Sequence, residues 1–135
     1  MINLIVGEKG TGKTKILVDK ILKAAENADG NLVCIEKGKK LIYDLPHKIR
    51  LVDTEEYSVS GYGEFYGFIS GLMAGNYDIQ QIYVDGTLKT CGQLDGIKDF
   101  ILKLAKLSDH KVEITFTISA DESKLPEEIK QYIVK

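Results

Sequence analysis

Residues 7 to 14 read Gly7-Glu8-Lys9-Gly10-Thr11-Gly12-Lys13-Thr14, and this stretch constrains the fold more than any other. It fills every fixed place of the phosphate-binding loop pattern G-x-x-x-x-G-K-[ST]. Its flanks fit as well. Ile2 to Val6 is a short apolar run with the character of a buried strand, and Leu17, Ile21 and Ala24 recur at helical spacing after Lys13. Strand, glycine turn and helix in succession are the context that such a loop requires.

The mechanics follow residue by residue. Gly7, Gly10 and Gly12 let the backbone turn tightly and approach a ligand with no Cβ in the way. The N–H groups of the loop then face inward as an anion cradle, at the positive end of the helix that begins near Lys13. Lys13 is expected to reach the β- and γ-phosphates of a nucleotide and the Thr14 hydroxyl to ligate Mg²⁺. Gly7, Glu8, Lys9, Gly10, Thr11, Gly12, Lys13, Thr14 and the adjoining Lys15 form the expected nucleotide-binding set. A glycine-rich turn with a chance lysine is the competing reading, and a complete motif in its proper context outweighs it.

With 135 residues, 44% hydrophobic and 28% charged, the chain has the composition of one globular α/β domain spanning residues 1–135. Its 18 basic and 20 acidic residues give a net charge of −2, so no field favours nucleic acid. Met1 leads straight into the first strand, and no apolar run approaches the roughly 20 residues of a spanning helix. A cytoplasmic protein without a membrane partner is therefore expected. Cys34 reads as a small buried residue, Cys91 as a loop residue, and His47 and His110 as isolated surface residues.

Further along, Leu32 to Ile35 reads as a strand ending at Glu36, followed by a solvated basic loop, Lys37-Gly38-Lys39-Lys40. Ile49 to Val52 is a third short strand, running into Asp53-Thr54-Glu55-Glu56. Between Gly61 and Asn76 a helical stripe of Phe65, Phe68 or Ile69, and Leu72 is crossed by Gly63, Gly67, Gly71 and Gly75. Four helical glycines cost on the order of 3–4 kcal/mol relative to alanine. Close packing of the helix on the sheet is the expected compensation. A partner surface and a partly unwound loop are the alternatives. Asp78 to Val84 forms a strand ending in Asp85-Gly86. Leu94, Ile97, Phe100, Ile101, Leu104 and Leu107 mark an amphipathic helix. Val112 to Ser119 alternates apolar with polar residues as a strand does, and Pro126 opens a last short helix.

Gly7 to Thr14, together with Ile82-Tyr83-Val84-Asp85, resembles the P-loop NTPase superfamily. The form G-x-x-G-x-G-K-T is most similar to the branch containing RecA-like and AAA ATPases, in which an extra strand separates the two motif strands. The chain also resembles short bacterial ATP-binding proteins sometimes labelled twitching-motility ATPases, though it is far too short for a motility motor. The resemblance implies a three-layer α/β/α fold with a mainly parallel sheet of about five strands. The implied strand order is 49–52, 31–36, 80–85, 112–119, 2–6. It also implies ATP as the nucleotide and Mg²⁺ held by Thr14 and Asp85. Ser119 would match the polar sensing residue of the extra strand, and Glu36 the water-orienting glutamate, with Glu55 and Glu56 as competitors.

Three departures qualify that likeness. Many ATPases of this branch carry a glutamate directly after the strand-ending aspartate, where this chain has Gly86. No N-K-x-D run is present to read guanine. Arg50 is the lone arginine among the 18 basic residues, too few for the bidentate phosphate clamps of small-molecule kinases. An arginine finger would have to come from a protein partner or a second copy of the chain. The implied activity is Mg-ATP binding with slow hydrolysis stimulated by a partner or by assembly. A non-hydrolysing nucleotide switch is the alternative, and a small-molecule kinase comes third.

Overall fold

The computed structural model describes residues 1–108 and 111–134. Five strands, β1 (Ile2–Gly7), β2 (Asn31–Glu36), β3 (Arg50–Asp53), β4 (Ile79–Asp85) and β5 (Glu113–Ser119), form one sheet in the order β3-β2-β4-β5-β1. Every neighbouring pair runs parallel. This is the strand order expected from the sequence, and the sheet is wholly rather than mainly parallel.

Parallel neighbours need crossovers; an α-helix serves in each connection except β2 to β3, which carries only the 3₁₀ turn Lys40–Tyr43. Among the described residues the α-helices are α1 (Lys13–Asn27), α2 (Tyr62–Gly75), α3 (Thr87–Cys91), α4 (Ile97–Leu107) and α5 (Glu127–Lys130). Alternate strand residues point to opposite faces, so the sheet builds two cores. On one face Ile5, Leu32, Cys34 and Tyr83 meet Leu17, Ile21 and Ala25 of α1. On the other, Leu4, Ile35, Val84, Ile114 and Phe116 meet Phe65 and Ile69 of α2 and Phe100, Ile101 and Leu104 of α4. Phe100 is the hub of that second core, with ring centroids 5.1 Å from Tyr62, 5.7 Å from Phe65 and 5.7 Å from Phe116. The free edge of β1 is covered by the last described residues: Leu4 N–H donates to the Tyr132 carbonyl and Val134 N–H to the Leu4 carbonyl.

Several local expectations need correction. The amphipathic helix begins at Ile97, because Gly96 before it holds φ 94°, outside the range of a helix. Leu94 therefore precedes the helix, and Leu107 at its end is 40% exposed. Cys91 closes α3 rather than lying in a loop, and Cys34 is buried as expected. His47 is exposed, while His110 lies outside the described residues. Among the described residues no helix is long and apolar enough to cross a membrane.

The largest departure is in α2. A Cβ added at Gly63, Gly67, Gly71 or Gly75 would meet no heavy atom within 4 Å. The glycine face is open, and the close packing expected there does not exist. The helix is held instead by Phe65 and Ile69, both fully buried. Gly67→Ala should consequently stabilise the protein by about 0.5–1 kcal/mol, through the lost backbone entropy of glycine. A lower thermal midpoint for that variant would show that the face is covered in solution.

Candidate functional site

In an all-parallel sheet every strand delivers its carboxyl end to one edge, where the crossover loops meet. Registry across that edge places Gly7 opposite Ser119, and Glu36 between Asp53 and Asp85. The glycine loop leaves β1 at this edge. Gly10 and Gly12 hold φ 85° and 84°, a left-handed conformation that suits glycine and turns the chain sharply into α1. Gly7 has a different role. A Cβ there would lie 2.7 Å from the Thr11 hydroxyl, which donates to the Glu8 carbonyl and folds the loop on itself.

Lys13, only 8% exposed, curls back over this loop and donates from Nζ to the same Glu8 carbonyl at 2.9 Å. Thr14, next in the helix, points the other way. Its hydroxyl lies 3.2 and 3.1 Å from the two oxygens of Asp85 at the end of β4. Asp85 Oδ1 accepts a second hydrogen bond, at 2.8 Å, from the hydroxyl of Thr117 in β5. That hydroxyl in turn accepts the Gly86 N–H at 2.7 Å. A hydroxyl and a carboxylate converging in this way are the hard oxygen ligands that a small divalent cation takes.

These groups border an open cleft of about 420 Å³. Of the expected residues, Lys9, Gly10, Gly12, Lys13, Thr14, Asp85 and Ser119 line it. Gly7, Glu8 and Thr11 shape the loop from behind, and Lys15 is exposed on the first turn of α1. Four lining residues, Gly86, Leu88, Lys89 and Thr117, were not among the expected site residues. Thr117 was recoverable from strand parity, since it shares the face of Ser119 two residues on. Lys89 carries no such signal.

Glu36 stands apart. It neighbours Asp85 but is 4% exposed and does not line the cleft. Its Oε2 accepts the N–H of Leu41 at 2.9 Å, which fixes the single 3₁₀ turn Lys40–Tyr43. Burial pushes its carboxyl above the ordinary 4.5, opposed by the Leu41 N–H and reinforced by Asp85 and Asp53. Glu56 is engaged on the surface with Lys39 at 2.8 Å, and Glu55 is exposed. Among the described residues no three His, Cys, Asp or Glu side chains converge as a metal-binding group.

The chain matches no model of a known protein family and no curated protein.

The raised Glu36 pKa has a consequence for stability. The unfolded chain ionises this carboxyl near 4.5, whereas the folded protein holds the proton to higher pH. Stability is therefore lost as pH rises from about 4.5 through the raised folded value. A glutamine side chain cannot titrate, so the thermal midpoint of Glu36→Gln relative to the unmodified protein should climb as pH rises above about 4.5. A difference that stays flat would remove the buried-carboxyl assignment.

Proposed function

We propose that the protein is a P-loop NTPase that binds Mg-ATP at this cleft and hydrolyses it slowly, with stimulation by a partner or by self-assembly. The observation that carries this reading is the Thr14–Asp85 hydrogen bond. It sets the residue after the loop lysine against the carboxylate that ends β4. The strand order adds support, because β5 lies between the loop strand β1 and the aspartate strand β4, where the additional strand of the resembled branch belongs.

The roles follow from the geometry. The loop N–H groups and the start of α1 cradle the phosphates. Lys13, bonded only to a carbonyl, exchanges the Glu8 oxygen for a phosphate oxygen, a stronger acceptor for an ammonium. The Thr14 hydroxyl and the Asp85 carboxylate would hold Mg²⁺. When bound, the metal supplies charge neutralisation at the β- and γ-phosphates. Ser119 lines the cleft at the end of β5 and would contact the terminal phosphate, while Glu36, buried beside Asp85, would have to leave its Leu41 contact to orient the attacking water. Arg50 opens the edge strand β3, whereas the cleft lies at the carboxyl ends of the strands. The arginine that stimulates turnover therefore comes from a partner or a second copy.

A specific observation favours the runner-up, a nucleotide-dependent switch that scarcely hydrolyses ATP. Glu36 is buried against the Leu41 N–H and does not line the cleft, and Gly86 offers no carboxylate in its stead.

Lys13→Ala should weaken Mg-ATP binding by about 10- to 150-fold in calorimetric titration, the equivalent of about 1.5–3 kcal/mol for a charged hydrogen bond. Unchanged affinity would overturn the site. Steady-state phosphate release from Glu36→Gln then separates the two readings. A loss of about tenfold or more fits water orientation, general-base effects being typically 10²–10⁴. Turnover that is nil or indifferent to the change selects the switch, and ADP production dependent on an added acceptor selects a kinase.

A further inference from the structure

Lys89 occupies a place that neither its sequence nor the loop motif assigns. It lies in α3, four residues beyond Asp85, and lines the cleft with Lys13 and Thr14. Gly86 explains how it arrives there. A Cβ at Gly86 would sit 3.0 Å from Lys89 Cδ, 3.4 Å from Cγ and 3.6 Å from Cε. The lysine stem thus lies across the bare Cα of Gly86, and the left-handed turn there (φ 71°) aims α3 so that this contact forms.

The ammonium it carries has company of its own sign. Lys40 stands beside it and Lys9 lies near. Among the described residues no carboxylate lies within salt-bridge distance of Lys9, Lys13, Lys40 or Lys89. Three cations, Lys9 and Lys13 of the glycine loop and Lys89 of α3, therefore line one opening, and Lys40 stands behind Lys89. Partial burial and the Lys40 charge push the Lys89 ammonium below its ordinary value, against the opposing pull of the Asp85 carboxylate. Such an arrangement is relieved by a polyanion with several negative oxygens, and a solvated lysine face gives no reason for the stem to be seated on a glycine.

We propose that Lys89, seated on Gly86, contacts the terminal phosphate of ATP in the cleft and supplies in cis part of the charge that this arginine-poor chain otherwise lacks. The inference rests on the nucleotide reading above and extends it to a residue outside the loop. Lys13 serves the phosphates shared by ATP and ADP as well as the terminal one. Lys89 serves the terminal one.

The two claims separate in one titration series with Mg-ATP and Mg-ADP. Lys89→Gln should lower ATP affinity about tenfold and leave ADP affinity within about twofold, while Lys89→Arg keeps most of the ATP affinity. Retained ADP binding is also the check that the variant folds. Unaltered ATP affinity in Lys89→Gln, or equal losses for ATP and ADP, overturns the terminal-phosphate role and leaves the nucleotide site standing. An unmodified protein that binds neither nucleotide takes both claims down.

Discussion

Asp85 accepts hydrogen bonds from hydroxyls in two different layers of the molecule, Thr14 at the start of α1 and Thr117 within β5. One carboxylate thus ties the glycine loop and its helix to the middle of the sheet. Hydrogen bonds to an ionised acceptor are roughly twice as strong as neutral ones. Thr117 is 2% exposed, so its hydroxyl would be costly to leave unpaired, and it accepts the Gly86 N–H as well. The loop, the end of β4 and the turn into α3 are consequently positioned by one connected network. Loss of the carboxylate would free the turn that places Lys89 as well as the contact that places Thr14.

That network exists because the sheet is parallel throughout. Covered on both faces by helices, its strands are buried on both sides. Val112 to Ser119 alternates in the manner of a half-exposed strand, yet Thr115 and Thr117 are each 2% exposed. The polar half of the alternation faces α1 and the cleft rather than water. A threonine can be buried at such a site because its hydroxyl has a partner there.

The same reasoning explains what the sequence made legible. The strands followed from apolar runs alternating with helical periodicity, whereas their order came from the resemblance to P-loop NTPases with an additional strand. The loop residues and Asp85 were legible because their chemistry is local, a glycine turn and a strand end. Thr117 was legible only as a residue on the face of Ser119, and Lys89 was not legible at all, since its place depends on the backbone angle at Gly86. The glycines of α2 misled for a related reason. Spacing shows that Gly63, Gly67, Gly71 and Gly75 share a side, and it carries no information on whether anything approaches that side.

Gly86 brings these threads together. The angle it holds, φ 71°, is one that L side chains rarely adopt, and a Cβ there would press on the Lys89 stem. A glutamate at this position would therefore strain the turn and displace the lysine. On the proposed reading, a side chain directly after Asp85 would strain the turn and crowd the Lys89 stem, and this chain has glycine there with the cation over it. A lysine is a compact point charge without the planar fork of arginine. It attracts a terminal phosphate without clamping the transferring group in a fixed bidentate geometry. If the proposed reading holds, the combination would favour holding ATP over cleaving it quickly, and would leave the rate to whatever carboxylate or arginine a second molecule brings to the opening.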